Sequence, residues 1–143
     1  MRLRLILLLG CLSSTAMAEG SPEGLWWTQD RAGVIEIAAC GHDMCGRIVG
    51  QPHIRDGNGK LPVDVHGVPH CGLTILRGSA TNNAGHFRGI ITDPDDGKDW
   101  QSEFWIGSDG RLRLRGYVLL PLLGQTQIWP PFTGHVAADC SLG

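Results

Sequence analysis

Apolar and polar residues alternate along most of this chain with the period of two expected of half-buried strands. The first such segment is Gly24-Leu25-Trp26-Trp27-Thr28. Val34 to Cys40 and Cys45 to Gly50 follow, then Cys71 to Gly78 and His86 to Thr92. Between them, Pro52, Gly57, Gly59, Pro62, Gly67 and Pro69 break any regular element, leaving Gln51 to His70 as an irregular stretch of about twenty residues. Long loops in a small domain tend to be functional, so this one is the expected lid.

Two later hairpins can be read residue by residue. In Asp93-Pro94-Asp95-Asp96-Gly97-Lys98, the proline suits the first turn position, the acids can cap backbone amides, and Gly97 supplies a positive φ. That turn sets Phe87, Gly89 and Ile91 opposite Phe104, Ser102 and Trp100. Ser108-Asp109-Gly110 reads as a three-residue loop pairing Gly107 with Arg111. Ile106 then faces Leu112 and Phe104 faces Leu114. On the other face Glu103 meets Arg115 and Trp105 meets Arg113, a cation–π pair expected to contribute ~0.5–1 kcal/mol. Arg111, Arg113 and Arg115 read as a solvated outer face, with an anion-binding patch as the sharper alternative. After the break at Pro121-Leu122-Leu123-Gly124, Gln125 to Trp129 forms a last strand, and Pro130-Pro131 is expected to stop it. The expected fold is all-β. About eight short antiparallel strands close into a single barrel that hides its edges and can hold one small ligand; a two-sheet sandwich is the alternative.

Composition sharpens this picture. The chain has 143 residues and a mass of 15.4 kDa, which suits one domain, and its 21 Gly and 8 Pro supply the turns that many short strands need. A formal charge of −2 offers no basic surface to neutralise phosphates, which argues against a nucleic-acid partner. Arg2 and Arg4 precede the apolar run Leu5 to Leu12, and Ala16-Met17-Ala18 provides the small residues of a cleavage site. Residues 1–18 therefore read as a signal peptide and 19–143 as the mature domain, with residues 130–143 as its tail. A rival reading takes Leu8-Leu9-Gly10 as a lipobox and Cys11 as the lipidated residue, at the expense of a shorter apolar run. The run is too short to span a bilayer, which needs about 20 residues, so no stable membrane insertion is expected after cleavage. Removing residues 1–18 takes away two arginines and no acid, leaving 10 basic against 14 acidic side chains.

Cys40, Cys45, Cys71 and Cys140 remain, an even number that in an exported protein reads as disulfides. Cys40 and Cys45 flank a four-residue loop in the first hairpin, face each other in that register, and fall within bridging distance. Elimination pairs Cys71 with Cys140.

Several ordered motifs resemble one bacterial family. They are Gly24-Leu25-Trp26, Ile35 to Gly41, Cys45 to Gly50, Cys71-Gly72-Leu73, Asp93 to Lys98, and Arg115-Gly116-Tyr117 through Leu123 to Trp129. Together they resemble the exported family called domain of unknown function 2147, over about residues 24–129. The resemblance implies an eight-stranded lipocalin-like barrel in the periplasm and no established activity. Two features depart from it: Trp129 is followed by Pro130-Pro131-Phe132, and the tail carrying Cys140 extends past the family's usual end.

No nucleophile elbow, zinc-protease motif or phosphate loop is present, so no enzyme activity, catalytic residue or cofactor is expected. His66-x-x-x-His70-Cys71 is the densest metal-like cluster, but its residues sit in the irregular loop and Cys71 is better used in a bridge; no metal is expected. The Asp93 to Asp99 acids lack the spacing of a calcium loop. Glu36 and Arg47 are placed to pair across the first hairpin. Two functions remain. In the favoured one, Trp26, Phe87, Trp100, Phe104 and Ile106 line a cavity for a small apolar ligand. In the other, the same side chains fill the barrel and a surface patch of this envelope module meets another protein. Neither reading sets an oligomeric state.

Overall fold

In the computed structural model, eight antiparallel strands follow one another around a single sheet in chain order. They are β1 (Gly24–Trp27), β2 (Val34–Cys40), β3 (Asp43–Gly50), β4 (Thr74–Ala80), β5 (Phe87–Thr92), β6 (Asp99–Ile106), β7 (Leu112–Tyr117) and β8 (Gln125–Trp129). The structure describes residues 20–52, 55–118 and 124–143; the leader expected over residues 1–18 and the start of the break at Pro121 lie outside them. Among the described residues no helix is long and apolar enough to cross a membrane.

The sheet curls into a nearly closed barrel; β8 ends at Trp129 before Pro130-Pro131, as expected, and the residues just past it make the seam. Past Trp129 the chain stays extended: Trp27 N–H donates to the Pro130 carbonyl at 2.9 Å, and Phe132 N–H donates to the Leu25 carbonyl at 2.8 Å. Pro131 sits between them, bridged to Trp26 at a position where no N–H is needed. The prolines thus limit the seam to alternate bonds without ending the pairing. Phe132 adds an edge-on contact with Trp27, ring centroids 5.3 Å apart.

The β5–β6 and β6–β7 registers follow the alternation in the sequence. Phe87, Gly89 and Ile91 pair with Phe104, Ser102 and Trp100, and Ile106 and Phe104 pair with Leu112 and Leu114. The first hairpin differs. Its loop is only Gly41-His42, with Gly41 at φ 69°, so Cys40 pairs with Asp43 and Cys45 with Ala38. The two cysteines are diagonal neighbours on the outer face and still bridge, with Cα atoms 5.8 Å apart. Cys71 and Cys140 form the second disulfide. β4 begins at Thr74 instead of Cys71, because Gly72 turns at φ 85° and Cys71 is drawn to the tail. An irregularity in the β3–β4 ladder, where Gly46 pairs with Leu76 but Arg47 with Thr74, leaves Ile75 as an extra residue, and both Ile75 and Leu76 are buried.

The cation–π pair expected between Trp105 and Arg113 does not form. Although the two residues are opposite in register, Arg113 binds Asp109 at 2.9 Å, while Trp105 stacks on His86, centroids 4.9 Å apart. The Glu103 carboxylate takes His86 Nδ1 at 2.9 Å and Arg88 at 3.2 Å. Burial raises its pKa, but these hydrogen bonds and charges outweigh that and hold it below the usual value. Glu36 and Arg47 do pair, at 3.0 Å on the exposed face.

Candidate ligand-binding site

The interior of the barrel has two halves of different character. Its closed half, under the Gly41-His42 turn and the 107–111 loop, is occupied by large side chains. Phe104 is fully buried and stacks on Phe87 at 5.5 Å; its ring lies so close to Gly78 that a Cβ there would meet Cε1 at 2.6 Å. Trp26, Ile37 and Leu112 join this cluster, with Met44 and Ile106 packed against it, and the Trp26 indole N–H donates to the Pro22 carbonyl at 2.9 Å.

At the opposite end, the barrel holds an open cavity of about 810 Å3, lined there by residues between Thr28 and Gly33, by Gln51 and His70, by Asp93 to Asp95, and by Val118 and Gly124. This lies within the usual range for small-molecule sites, roughly 300–1,000 Å3. Ile35, Ile48, Ile75, Ile91 and Leu114 form its apolar wall, and Trp129 lines it with its indole N–H bound to Gln127 Oε1 at 2.7 Å. Gly116 makes room in the wall: a Cβ there would meet nothing closer than 4.0 Å. Ser102, opposite Gly116 in register, is fully buried, and its Oγ has no hydrogen-bond partner.

Polar groups gather toward the mouth. Gln125 and Gln127 follow the inward parity of Trp129 along β8. Gln29 Oε1 accepts Ile128 N–H at 2.8 Å, extending the seam beyond β1. Three carboxylates line the cavity: Asp30, which caps its own turn through Thr28 and Ala32; Asp93, which caps the β5–β6 turn through Asp95 N–H; and Asp95 itself. His70, buried in the wall, sets Nε2 3.8 Å from Asp95 Oδ1, and that nitrogen has no hydrogen-bond partner. Among the described residues no Lys or Arg lines the cavity.

Of the five residues expected to line a cavity, Trp100 does so, at the mouth and 39% exposed. Trp26 and Phe104 belong to the buried core cluster, Phe87 and Ile106 pack half-buried against it, and none of the four lines this cavity. Strand parity identifies which side chains point inward; it does not say at which end the barrel is full. The expected lid contributes Gln51 and His70 to the wall, while its Leu61, Val63, Val65 and Val68 are exposed. That loop is ordered by two aspartates: Asp56 Oδ1 accepts the amides of Asn58 and Lys60, and Asp64 Oδ1 those of His66 and Val68. The Val68 amide is the main reason the Asp64 pKa is lowered. His66 is exposed, Cys71 is in a disulfide, and among the described residues no three His, Cys, Asp or Glu side chains are placed to hold a metal.

Eight antiparallel strands wound in order into a nearly closed barrel make a lipocalin-like fold. The fold is similar to that of a Helicobacter pylori protein, HP1028, described as belonging to the lipocalin family: the TM-score is 0.59 at 13% identity, covering 78% of this chain and 82% of that one. The chain belongs to the bacterial family described as "Uncharacterized protein conserved in bacteria (DUF2147)", whose profile matches residues 24–130. No curated protein is significantly similar in sequence. Two disulfides in a bacterial family point to an oxidising, extracytoplasmic compartment.

Proposed function

We propose that this protein is exported to the periplasm, cleaved after Ala18, and there binds a small, mostly apolar molecule in the open half of its barrel without catalysing a reaction. The observation that supports this reading is the cavity itself, about 810 Å3 walled by isoleucines and leucine and rimmed by polar groups. The test is native mass spectrometry of the protein purified from its own periplasm, beside a Gly116→Phe variant. Residue 116 lines the cavity, follows the inward parity of Leu114 and has free space around a Cβ, so the larger side chain is directed into the cavity. Excess mass that is lost on denaturation in the natural protein and absent from the variant is the expected result. A bare native mass, together with failure to bind any apolar probe, would overturn the proposal. The denatured mass of the same sample distinguishes cleavage after Ala18 from a lipidated Cys11.

The rival reading, an envelope module that binds another protein, draws support from the exposed Leu61, Val63, Val65 and Val68 in one loop. It predicts that Gly116→Phe leaves function intact, whereas replacing those four side chains with serine abolishes it.

A further inference from the structure

We infer that the cavity takes a ligand whose apolar body ends in a cationic, N–H-donating head, an amine instead of a carboxylate, with that head held at the mouth beside Asp95. The inference rests on the ligand-binding reading above and names the chemical class that reading leaves open. Its first support is the distribution of charge. Asp30, Asp93 and Asp95 line the site, and among the described residues no Lys or Arg does. The head of an anionic amphiphile would meet three carboxylates with no cation to neutralise it, while an ammonium at the same place is attracted by all three.

The second support is His70. It is about nine-tenths buried, yet Nε2 has no hydrogen-bond partner, and the nearest charged group is the Asp95 carboxylate at 3.8 Å. With the proton on Nδ1, Nε2 and Asp95 Oδ1 are two acceptors facing each other, and an N–H donor set between them satisfies both. Asp95 is free to adjust, since its side chain is 84% exposed and His70 is its only side-chain partner among the described residues. The third support is Trp100, whose partly exposed ring at the mouth offers a face for a cation, while the isoleucine wall takes the tail. A head at the mouth stays partly hydrated, so the charge need not be buried with the tail.

The experiment is calorimetric titration of the full mature protein with dodecylamine, dodecanol and dodecanoate, three probes with one tail, each below its micelle concentration. At low salt the amine should bind about tenfold more tightly than the carboxylate, with the alcohol between them. Asp95→Asn should reduce that ratio about threefold, and added salt should compress it further. Equal affinity for all three, or tighter binding of dodecanoate, overturns the inference while leaving the binding barrel standing. If none of the three binds, both fail. Gly116→Phe separates the cavity from the acidic surface: an amine preference that persists in this variant reflects surface adsorption and overturns the inference.

Discussion

The bridge between Cys71 and Cys140 should carry more of the stability of this barrel than the one between Cys40 and Cys45, although the Cα separation is 5.8 Å in both. The difference is loop length. The first spans 69 residues and the second 5, and in the chain-entropy model closing such loops in the unfolded state contributes about 4.4 and about 2 kcal/mol. Native contacts reinforce this order. Cys140 is buried, its carbonyl accepts the Gln51 amide at 2.9 Å, and the tail it anchors brings Val136 and Leu142 against Gly50, where a Cβ would meet Leu142 at 2.5 Å. Cys71→Ala/Cys140→Ala should therefore lower the thermal midpoint by roughly 10–20 °C, and Cys40→Ala/Cys45→Ala by about half as much. Urea unfolding followed by tryptophan fluorescence gives both free energies on one scale. If the 40–45 pair costs as much as the 71–140 pair, or more, the loop-closure argument is refuted and the tail is not a structural tie.

Other perturbations probe the packed half and the outer face. Gly78→Ala should cost about 1–3 kcal/mol in urea unfolding, because Phe104 has no space to withdraw, whereas Gly57→Ala, with nothing within 4 Å, should fall within about 0.5 kcal/mol of the natural protein. Equal effects would show that the Phe104 site can relax. Glu103→Gln should cost about 1 kcal/mol at neutral pH, since the amide cannot replace the carboxylate's ion pair with Arg88 and its hydrogen bond with His86 Nδ1. Because folding lowers the Glu103 pKa below its ordinary value of 4.5, this contribution is full above that pH and is lost as pH falls through the folded value. The two unfolding curves should therefore converge in acid; a gap that stays constant down to pH 3 would mean the effect is one of packing.

Much of this fold was legible along the chain because strand periodicity and turn chemistry are local properties. Asp93-Pro94-Asp95-Asp96-Gly97-Lys98 specifies its hairpin through proline, Asx capping and one positive φ, and once the turn is set the pairing of Phe87 with Phe104 follows. Cys40, Cys45, Cys71 and Cys140 announced two bridges because their number and spacing are written in the sequence. The candidate site was less legible. Ile75 and Leu76 are adjacent apolar residues, a visible hint of a bulge, but only the ladder shows that both turn inside. Gln125 and Gln127 could have been found by extending the parity of Trp129 back along β8.

Alternation determined which side chains face the interior, and that much belongs to the sequence. Which interior residues meet each other, and whether they fill the space, depends on how eight strands curve around one axis. Phe104 packs over Gly78 in one half of the barrel, while Gly116 leaves free space in the wall of the other. The neighbours that decide this come from strands far apart in the chain. His70 and Asp95 likewise lie in separate loops, and only the closed barrel brings them to opposite sides of a 3.8 Å gap at the mouth of the cavity.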